Sequence, residues 1–339
     1  MGRIHLCSSR FKFTGNTPLL YNDCHEWKQK ITRVEAEDKT ILITGGSGLI
    51  GARLTEMLKE KGYTVIWLSR IRNINADISR YKWDYHNGEI DKQALEQANI
   101  IVHLAGSNLG EGRWTNKKKQ EIVESRTLTT KLLLNTYKSL NVKPEAFISA
   151  SAVGYYGIHS DDKIYTEEST PARDDFLSRT CTAWEAATFQ FHEVLNVRVV
   201  ALRTSFVLSK DSEAFNKMIL PTRLGLGSPM GNGKQYMSWI HIDDLCNLYI
   251  KSIEDSSMSG IYNAVAPEYS TNKEFMRTVA KELNLPYIIP VVPSFLIKLI
   301  MGEASGLILE GVRVSSQKAI DSGYKFLYPT RKEAILNSL

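Results

Sequence analysis

Apolar and polar positions along this chain follow two periods, and the switch between them repeats. Thr40 to Thr44 is a short, nearly continuous apolar run, the pattern of a strand buried on both faces. After a glycine-rich turn, Ile50, Leu54, Met57 and Leu58 recur at helical spacing until Gly62, which predicts an amphipathic helix closed by glycine. Tyr63 to Leu68 and Ile100 to Leu104 read as strands, the second running into Ala105-Gly106. Trp114 to Leu140 reads as a long helix and Glu145 to Ser149 as a strand. Asp174 to Leu195 reads as a helix with Leu177, Cys181, Trp184, Thr188 and Phe191 on one face, and Val197 to Leu202 as a strand. Strands alternating with helices predict an α/β fold, a Rossmann-type doubly wound parallel sheet with right-handed crossovers.

Beyond Val207 the pattern loosens, and Gly225, Gly227, Gly231 and Gly233 crowd one loop. The expected division is a nucleotide-binding domain over 40–207 and a smaller, mainly substrate-side lobe over 208–339, with some strand of the lobe returning to the main sheet. Residues 1–39 carry no clean periodicity. They are expected to be a flexible extension, a targeting segment or the product of an upstream start codon.

The turn carries the first chemistry. Thr44-Gly45-Gly46-Ser47-Gly48-Leu49-Ile50-Gly51 satisfies both G-x-G-x-x-G and G-x-x-G-x-x-G, follows a strand and opens a helix. Glycines there let a pyrophosphate approach the backbone, and the helix start offers it free N–H groups and partial positive charge. Gly45, Gly48, Leu49, Ile50 and Gly51 are the residues expected to bind it. The end of the second strand selects the nucleotide. An NAD site places an acid about 20 residues on, to hold the ribose 2′-hydroxyl. This chain has Ser69-Arg70 there and Arg72 just beyond, and arginine suits a 2′-phosphate, so NADP(H) is the expected cofactor.

At this point the chain resembles an extended short-chain dehydrogenase/reductase, and within it the atypical "epimerase family" branch, also described as cell-division-inhibitor homologues. The marks are Gly45-Gly46-Ser47-Gly48-Leu49-Ile50-Gly51, Leu104-Ala105-Gly106, Arg113-Trp114, Glu124-Ser125-Arg126, Ser151 to Gly157 (SAVGYYG), Trp184-Glu185-Ala186-Ala187, Arg223 to Gly227 and Trp239 to Leu245. The resemblance runs from Thr40 to the C-terminus. It implies further cofactor contacts at Leu104, Ala105, Gly106, Glu121, Arg126 and Leu208.

It also poses a catalytic question. Reductases of this superfamily use a Tyr with a Lys four residues later, the ammonium bringing the phenol towards working pH, and a Ser that holds the substrate oxygen. Ser151 fits the Ser. Placing Trp184-Glu185 on the usual helix puts Leu177 and Cys181 at the other two positions, and both are apolar. The one literal Tyr-x-x-x-Lys, Tyr269 to Lys273, lies far downstream and reads as a chance match. Tyr155 and Tyr156 remain as candidate proton donors, with aromatic packing as the alternative reading. Asp243 reads as an N-cap, His241 as a core histidine, and Glu167, Glu168 and Pro171 as structural.

Composition trims the field. The formal charge is +5, from 42 basic and 37 acidic residues, and the only basic cluster is Lys117 to Lys119, a solvated helix face, so no nucleic-acid partner is expected. The apolar stretch Ile288 to Met301 is broken by Pro290, Pro293 and Lys298 and is too short to cross a bilayer. Four cysteines without metal spacing predict free thiols, no metal and a cytoplasmic, reducing location. Two readings stand: an NADP(H)-dependent oxidoreductase or epimerase on a small carbonyl or sugar-like substrate, as monomer or homodimer, or an NADP(H)-binding regulator or scaffold, linked through the resemblance to cell division.

Overall fold

The computed structural model describes residues 39–287 and 292–339. The N-terminal extension, with Cys7 and Cys24, and residues 288–291 lie outside them. In chain order the elements are β1 (Thr40–Thr44), α1 (Leu49–Glu60), β2 (Thr64–Ser69), β3 (Ser79–Asp84), β4 (Glu89–Ile90), α2 (Lys92–Glu96), β5 (Ile100–His103), α3 (Asn116–Leu140) and β6 (Ala146–Ala152). There follow β7 (Ile164–Tyr165), α4 (Phe176–Leu195), β8 (Arg198–Thr204), β9 (Phe206–Leu208), α5 (Glu213–Arg223), β10 (Trp239–His241), α6 (Ile242–Glu254), β11 (Gly260–Ala264) and α7 (Asn272–Glu282). The chain ends with α8 (Ser294–Met301), α9 (Gly306–Leu309), β12 (Arg313–Val314), α10 (Gln317–Asp321) and α11 (Arg331–Ser338).

The main sheet has eight strands in the order β11-β8-β6-β5-β1-β2-β3-β4, parallel throughout except for the β3–β4 pair at its edge. Strand β1 is central, and its alternation feeds two cores. Ile41 and Ile43 pack beneath α1 and α6 with Leu54, Leu58, Leu245 and Leu248, while Leu42 packs on the other face with Leu133, Tyr137, Phe147 and Phe191 of the α3–α4 side. The chain proceeds from β1 to β2 on one side and returns to β5 on the other, so the carboxyl ends of β1 and β5 mark a switch point, the place where sheets of this kind take their ligands. A third core, around Phe215, Trp239, Phe275 and Ile335, holds the C-terminal lobe together. Strand β11, from that part of the chain, joins the main sheet beside β8.

Several expectations are corrected. The expected strand Glu145 to Ser149 continues to Ala152, so Ser151 lies within β6, its Cα paired with Arg203 of β8. The edge formed by β3, β4 and α2 had no counterpart in the sequence reading. Asp243 is not the cap of α6: His241 is, its Nδ1 accepting from the Asp243 N–H at 3.2 Å, while the Asp243 carboxylate pairs with Arg53 Nε at 2.7 Å. The adjacent Asp244 is fully buried and accepts from the Tyr324 hydroxyl and the Leu327 and Tyr328 N–H groups, tying the C-terminal segment to α6. Among the described residues no helix is long and apolar enough to cross a membrane, and no cluster of ligands fits a metal.

Candidate cofactor site and catalytic corner

The site begins at the glycine turn. Gly45 sits at φ +72°, left-handed backbone that favours glycine, and a side-chain carbon there would fall 3.0 Å from the Leu104 carbonyl carbon. Gly51 allows α1 to close on the turn: an added carbon would stand 2.4 Å from the Gly45 carbonyl oxygen. Gly48 differs from both. An added carbon there would meet only the Gly45 oxygen, at 3.3 Å, and otherwise open space. Gly48 is also the N-cap of α1 and supplies no side-chain cap, and the first turn holds no acid, so the helix's first N–H groups are left for a ligand. These features fit a dinucleotide pyrophosphate.

Gly46 has a packing duty that the motif does not reveal. An added carbon would fall 2.4 Å from the Trp67 indole, which donates through Nε1 to Thr55 Oγ1 of α1 at 3.0 Å. At the end of β2, the Ser69 hydroxyl bonds to the Ile71 carbonyl, and Arg70 is exposed with no acidic partner among the described residues. Arg72 is paired with Asp91 at 3.0 Å.

The floor at β5 is fixed by a network the sequence reading did not find. Thr44 Oγ1 accepts from both the Leu104 and the Ala105 N–H at 3.1 Å, which leaves its own proton for His103 Nδ1 at 2.8 Å. The other ring nitrogen then donates towards Thr129 and Thr130, at 3.2 and 3.1 Å. Burial holds His103 neutral, its pKa pulled down to about 3. Gly106 leaves room for Arg126: an added carbon would lie 3.0 Å from the guanidinium carbon. Arg126 is buried, stacks on Trp184 at 5.0 Å and donates to the carbonyls of Ile122 and Ser107, and burial lowers its pKa. Glu121 is exposed. Its carboxyl accepts from Ser107 Oγ at 2.5 Å, which holds it below the usual range, with Lys118 nearby. Leu208 ends β9, and its side chain is fully buried in the core of the C-terminal lobe.

The structure brings Ser151, Tyr155 and Tyr156 together, yet two of them are already engaged. The Ser151 hydroxyl donates to Glu185 Oε1 at 2.6 Å, inside the protein. Arg203 grips the same carboxylate with Nε and Nη2, both at 2.8 Å. Burial opposes the charge on Arg203, but the Glu185 bonds outweigh it and raise its pKa. Arg203 Nη1 donates to the Tyr156 hydroxyl at 3.0 Å, and that oxygen lies 2.7 Å from Asn263 Oδ1 and 3.0 Å from the Thr166 carbonyl. Tyr156 is fully buried, and burial pushes its phenol up to about 12. Tyr155 is half-buried, its ring face 3.4 Å from the Arg203 guanidinium carbon, and its hydroxyl has no partner among the described residues.

Leu177 and Cys181 are buried against this corner: an added carbon on Gly154 would meet Leu177 at 3.3 Å and the Cys181 sulfur at 3.7 Å. Burial pushes the free Cys181 thiol up to about 12. Lys273 lies in the first turn of α7, its N–H bonded to the Gly233 carbonyl, and Tyr269 is exposed. Glu167 Oε1 accepts from the Asn263 N–H at 2.8 Å, a structural tie. A groove of about 590 Å³ between α6 and the Tyr324–Leu327 segment contains no residue of the turn or the corner.

The sequence profile described as the NAD dependent epimerase/dehydratase family matches residues 41–264, and one described as a domain of unknown function, DUF1731, matches residues 292–337. "Epimerase family protein YfhF" of Bacillus subtilis is 36% identical over 289 residues, 85% of this chain and 94% of that protein. "Epimerase family protein SDR39U1" of Mus musculus is 34% identical over 298 residues, 87% of this chain and 98% of that protein. The crystal structure of human epimerase family protein SDR39U1 (isoform 2) with NADPH aligns with a TM-score of 0.78 and 32% identity, over 88% of this chain and 98% of that one. The glycine turn at a switch point of a parallel sheet and these matches agree: the chain belongs to the NAD dependent epimerase/dehydratase family, with the extended short-chain dehydrogenase/reductase fold.

Proposed function

We propose that this protein binds NADP(H) in preference to NAD(H) and is a slow oxidoreductase or epimerase on a small carbonyl or sugar-like substrate, with Tyr155 moving the proton. The observation that carries the reading is the occupied state of the corner. Ser151 gives its proton to Glu185, and Tyr156 is buried and bonded on every side, so Tyr155 alone has a hydroxyl to offer. The open face at Gly48, the unpaired Arg70 and the NADPH bound by human SDR39U1 support the cofactor. When bound, that cofactor supplies or accepts a hydride. Arg203 holds the Tyr155 ring by its face, and the phenol provides the proton that a reduced carbonyl oxygen takes up. Position 181 carries a buried thiol where an ammonium would assist, so the proton is replaced from solvent and turnover is slow.

A second reading, an NADP(H)-binding regulator without turnover, is favoured by the burial of Leu177 and Cys181 at the positions that would carry the proton relay. NADPH oxidation across a panel of aldehydes, ketones and keto-sugars separates the two. The expected result is turnover that Tyr155→Phe removes and Ser151→Ala and Lys273→Ala retain, with NADPH affinity unchanged in all three. Turnover that survives in Tyr155→Phe overturns the assignment of the proton donor. Tight NADPH binding with no turnover on any substrate selects the regulator.

A further inference from the structure

The NADP(H) preference proposed above rests on Arg70, and its surroundings contain a second candidate. The cations at this edge of the sheet differ in their pairing. Lys59 meets Asp77 at 2.9 Å, Arg72 meets Asp91 at 3.0 Å and Lys82 meets Glu89 at 3.0 Å. Arg70 and Arg80 are both exposed and have no carboxylate partner among the described residues. Two arginines left uncompensated among paired neighbours raise the local positive potential where the cofactor's adenosine end is expected.

Arg80 is also held in place. It is the second residue of β3, its Cα paired with Trp67 of β2. Tyr81 and Trp83 point into the core on the α3 side, so strand alternation sends Arg80 to the α1 side, where Trp67 lies. Its guanidinium carbon stands 5.4 Å from the Trp67 ring centroid, and that indole is pressed against Gly46 of the glycine turn. Two backbone bonds with Asn73, at 2.8 and 2.9 Å, tie β3 to the turn that leaves Arg70. The indole thus bridges the glycine turn and Arg80, and the two free arginines flank one turn.

We infer that Arg80 is a second reader of the 2′-phosphate, alongside Arg70. A phosphate monoester carries a charge of about −1.5 to −2 at neutral pH, so a single arginine leaves it incompletely neutralised. A guanidinium held over an indole, with no carboxylate to leave, keeps donors for a ligand and has less side-chain freedom to lose on binding. Arg72 and Lys82 are poorer candidates, since each would first have to break its own ion pair.

The inference rests on the NADP(H) reading, and the experiment separates the two. Dissociation constants for NADPH, NADH and adenosine 2′,5′-bisphosphate are measured by calorimetry for wild type, Arg70→Ala, Arg80→Ala and Arg80→Lys. Arg80→Ala is expected to weaken NADPH and the bisphosphate about tenfold, one charge-assisted contact, and to leave NADH unchanged. Arg80→Lys, which keeps the charge and loses the planar, multi-donor guanidinium, is expected to fall between. Wild type that binds NADH as tightly as NADPH overturns the cofactor reading itself. Wild type that discriminates, with a ratio lowered by Arg70→Ala and untouched by Arg80→Ala, overturns only the role of Arg80. Equal loss of NADPH and NADH in Arg80→Ala also overturns it, because the effect would then pass through Trp67 and the turn. Thermal unfolding without nucleotide should match wild type in Arg80→Ala, as this side chain is exposed.

Discussion

The glycine turn and the Ser151–Tyr156 corner both lie at the carboxyl end of a strand of the main sheet, and they treat their polar groups in opposite ways. At the turn, donors are left over: the start of α1 has no side-chain cap, Gly48 faces open space, and Arg70 has no acid. At the corner the supply is used up internally. Ser151, Glu185, Arg203, Tyr156 and Asn263 form one buried chain of bonds. Spare, accessible donors mark a place that waits for a ligand, whereas a satisfied buried network fixes a shape. On the proposed function, the turn holds the nucleotide while the corner, with apolar Leu177 and Cys181 packed against it, holds its shape.

The largest effect expected from this contrast is on stability at the corner. Arg203→Met removes one partner of a buried pair and leaves Glu185 charged inside the protein, at a cost of about 3–5 kcal/mol. Arg70→Met, at the open end, should change stability by no more than about 0.5 kcal/mol. Urea unfolding of both variants tests this, and similar losses in the two would dissolve the distinction between the regions.

Next in size is the loss of cofactor from the turn. Gly48→Val places branches where only open space is found and should weaken NADPH about a hundredfold, close to 2.7 kcal/mol, in a protein that stays folded. Gly51→Val should instead lower the unfolding midpoint, because its added carbon meets the Gly45 carbonyl at 2.4 Å. Normal NADPH affinity in Gly48→Val would show that the pyrophosphate lies elsewhere.

The same contrast explains what could be read from the sequence. The turn's shape was legible because it is local: strand, glycines and helix follow one another within a few residues, and Ser69 ends the next strand with Arg70 just after it. The fold was legible for the same reason, since Ile41–Ile43 of β1, Ile100–Val102 of β5 and Val199–Leu202 of β8 are continuous apolar runs. The edge at β3 and β4 was missed because Ser79–Asp84 alternates polar and apolar residues over a short span that competes with a loop reading. The engagement of Ser151 was hidden because its partner is 34 positions away, and Glu185 meets Arg203 across a further 18. Tyr155 and Tyr156 are neighbours in sequence, and what separates them comes from distant positions: Val265, Val312 and Val314 bury the second, and Arg203 and Asn263 bond its hydroxyl.

A smaller, graded effect is expected from His103 beneath the turn. Its ordinary value is 6.5 and burial takes it to about 3 in the folded protein. Between those values the unfolded chain binds a proton that the folded one does not. This contribution to stability is therefore complete above pH 6.5 and is lost as pH falls towards 3, by up to about 1.4 kcal/mol per pH unit. His103→Gln cannot titrate, so the stability gap between wild type and this variant should narrow on going from about pH 7 to about pH 5. A gap independent of pH would mean that the imidazole is not held neutral.

The smallest expected effect divides the two tyrosines. Tyr156→Phe removes a hydroxyl that accepts from Arg203 and faces Asn263 Oδ1, whose own Nδ2 is already committed to the Ser315 carbonyl, so the amide has no easy way to turn. The variant leaves buried groups short of one partner and should lose about 1–2 kcal/mol of unfolding free energy. Tyr155→Phe keeps the ring face on Arg203 and deletes a hydroxyl with no partner among the described residues, so its stability should stay within about 0.5 kcal/mol of wild type. On the proposed function, turnover divides the other way: Tyr155→Phe loses it, and Tyr156→Phe retains most of it at temperatures where the variant is folded. The pair is decided by measuring urea unfolding and NADPH oxidation on the same preparations. Loss of stability in Tyr155→Phe with retention of activity would reverse the roles, making Tyr155 part of the scaffold and returning the proton to the buried side of the corner.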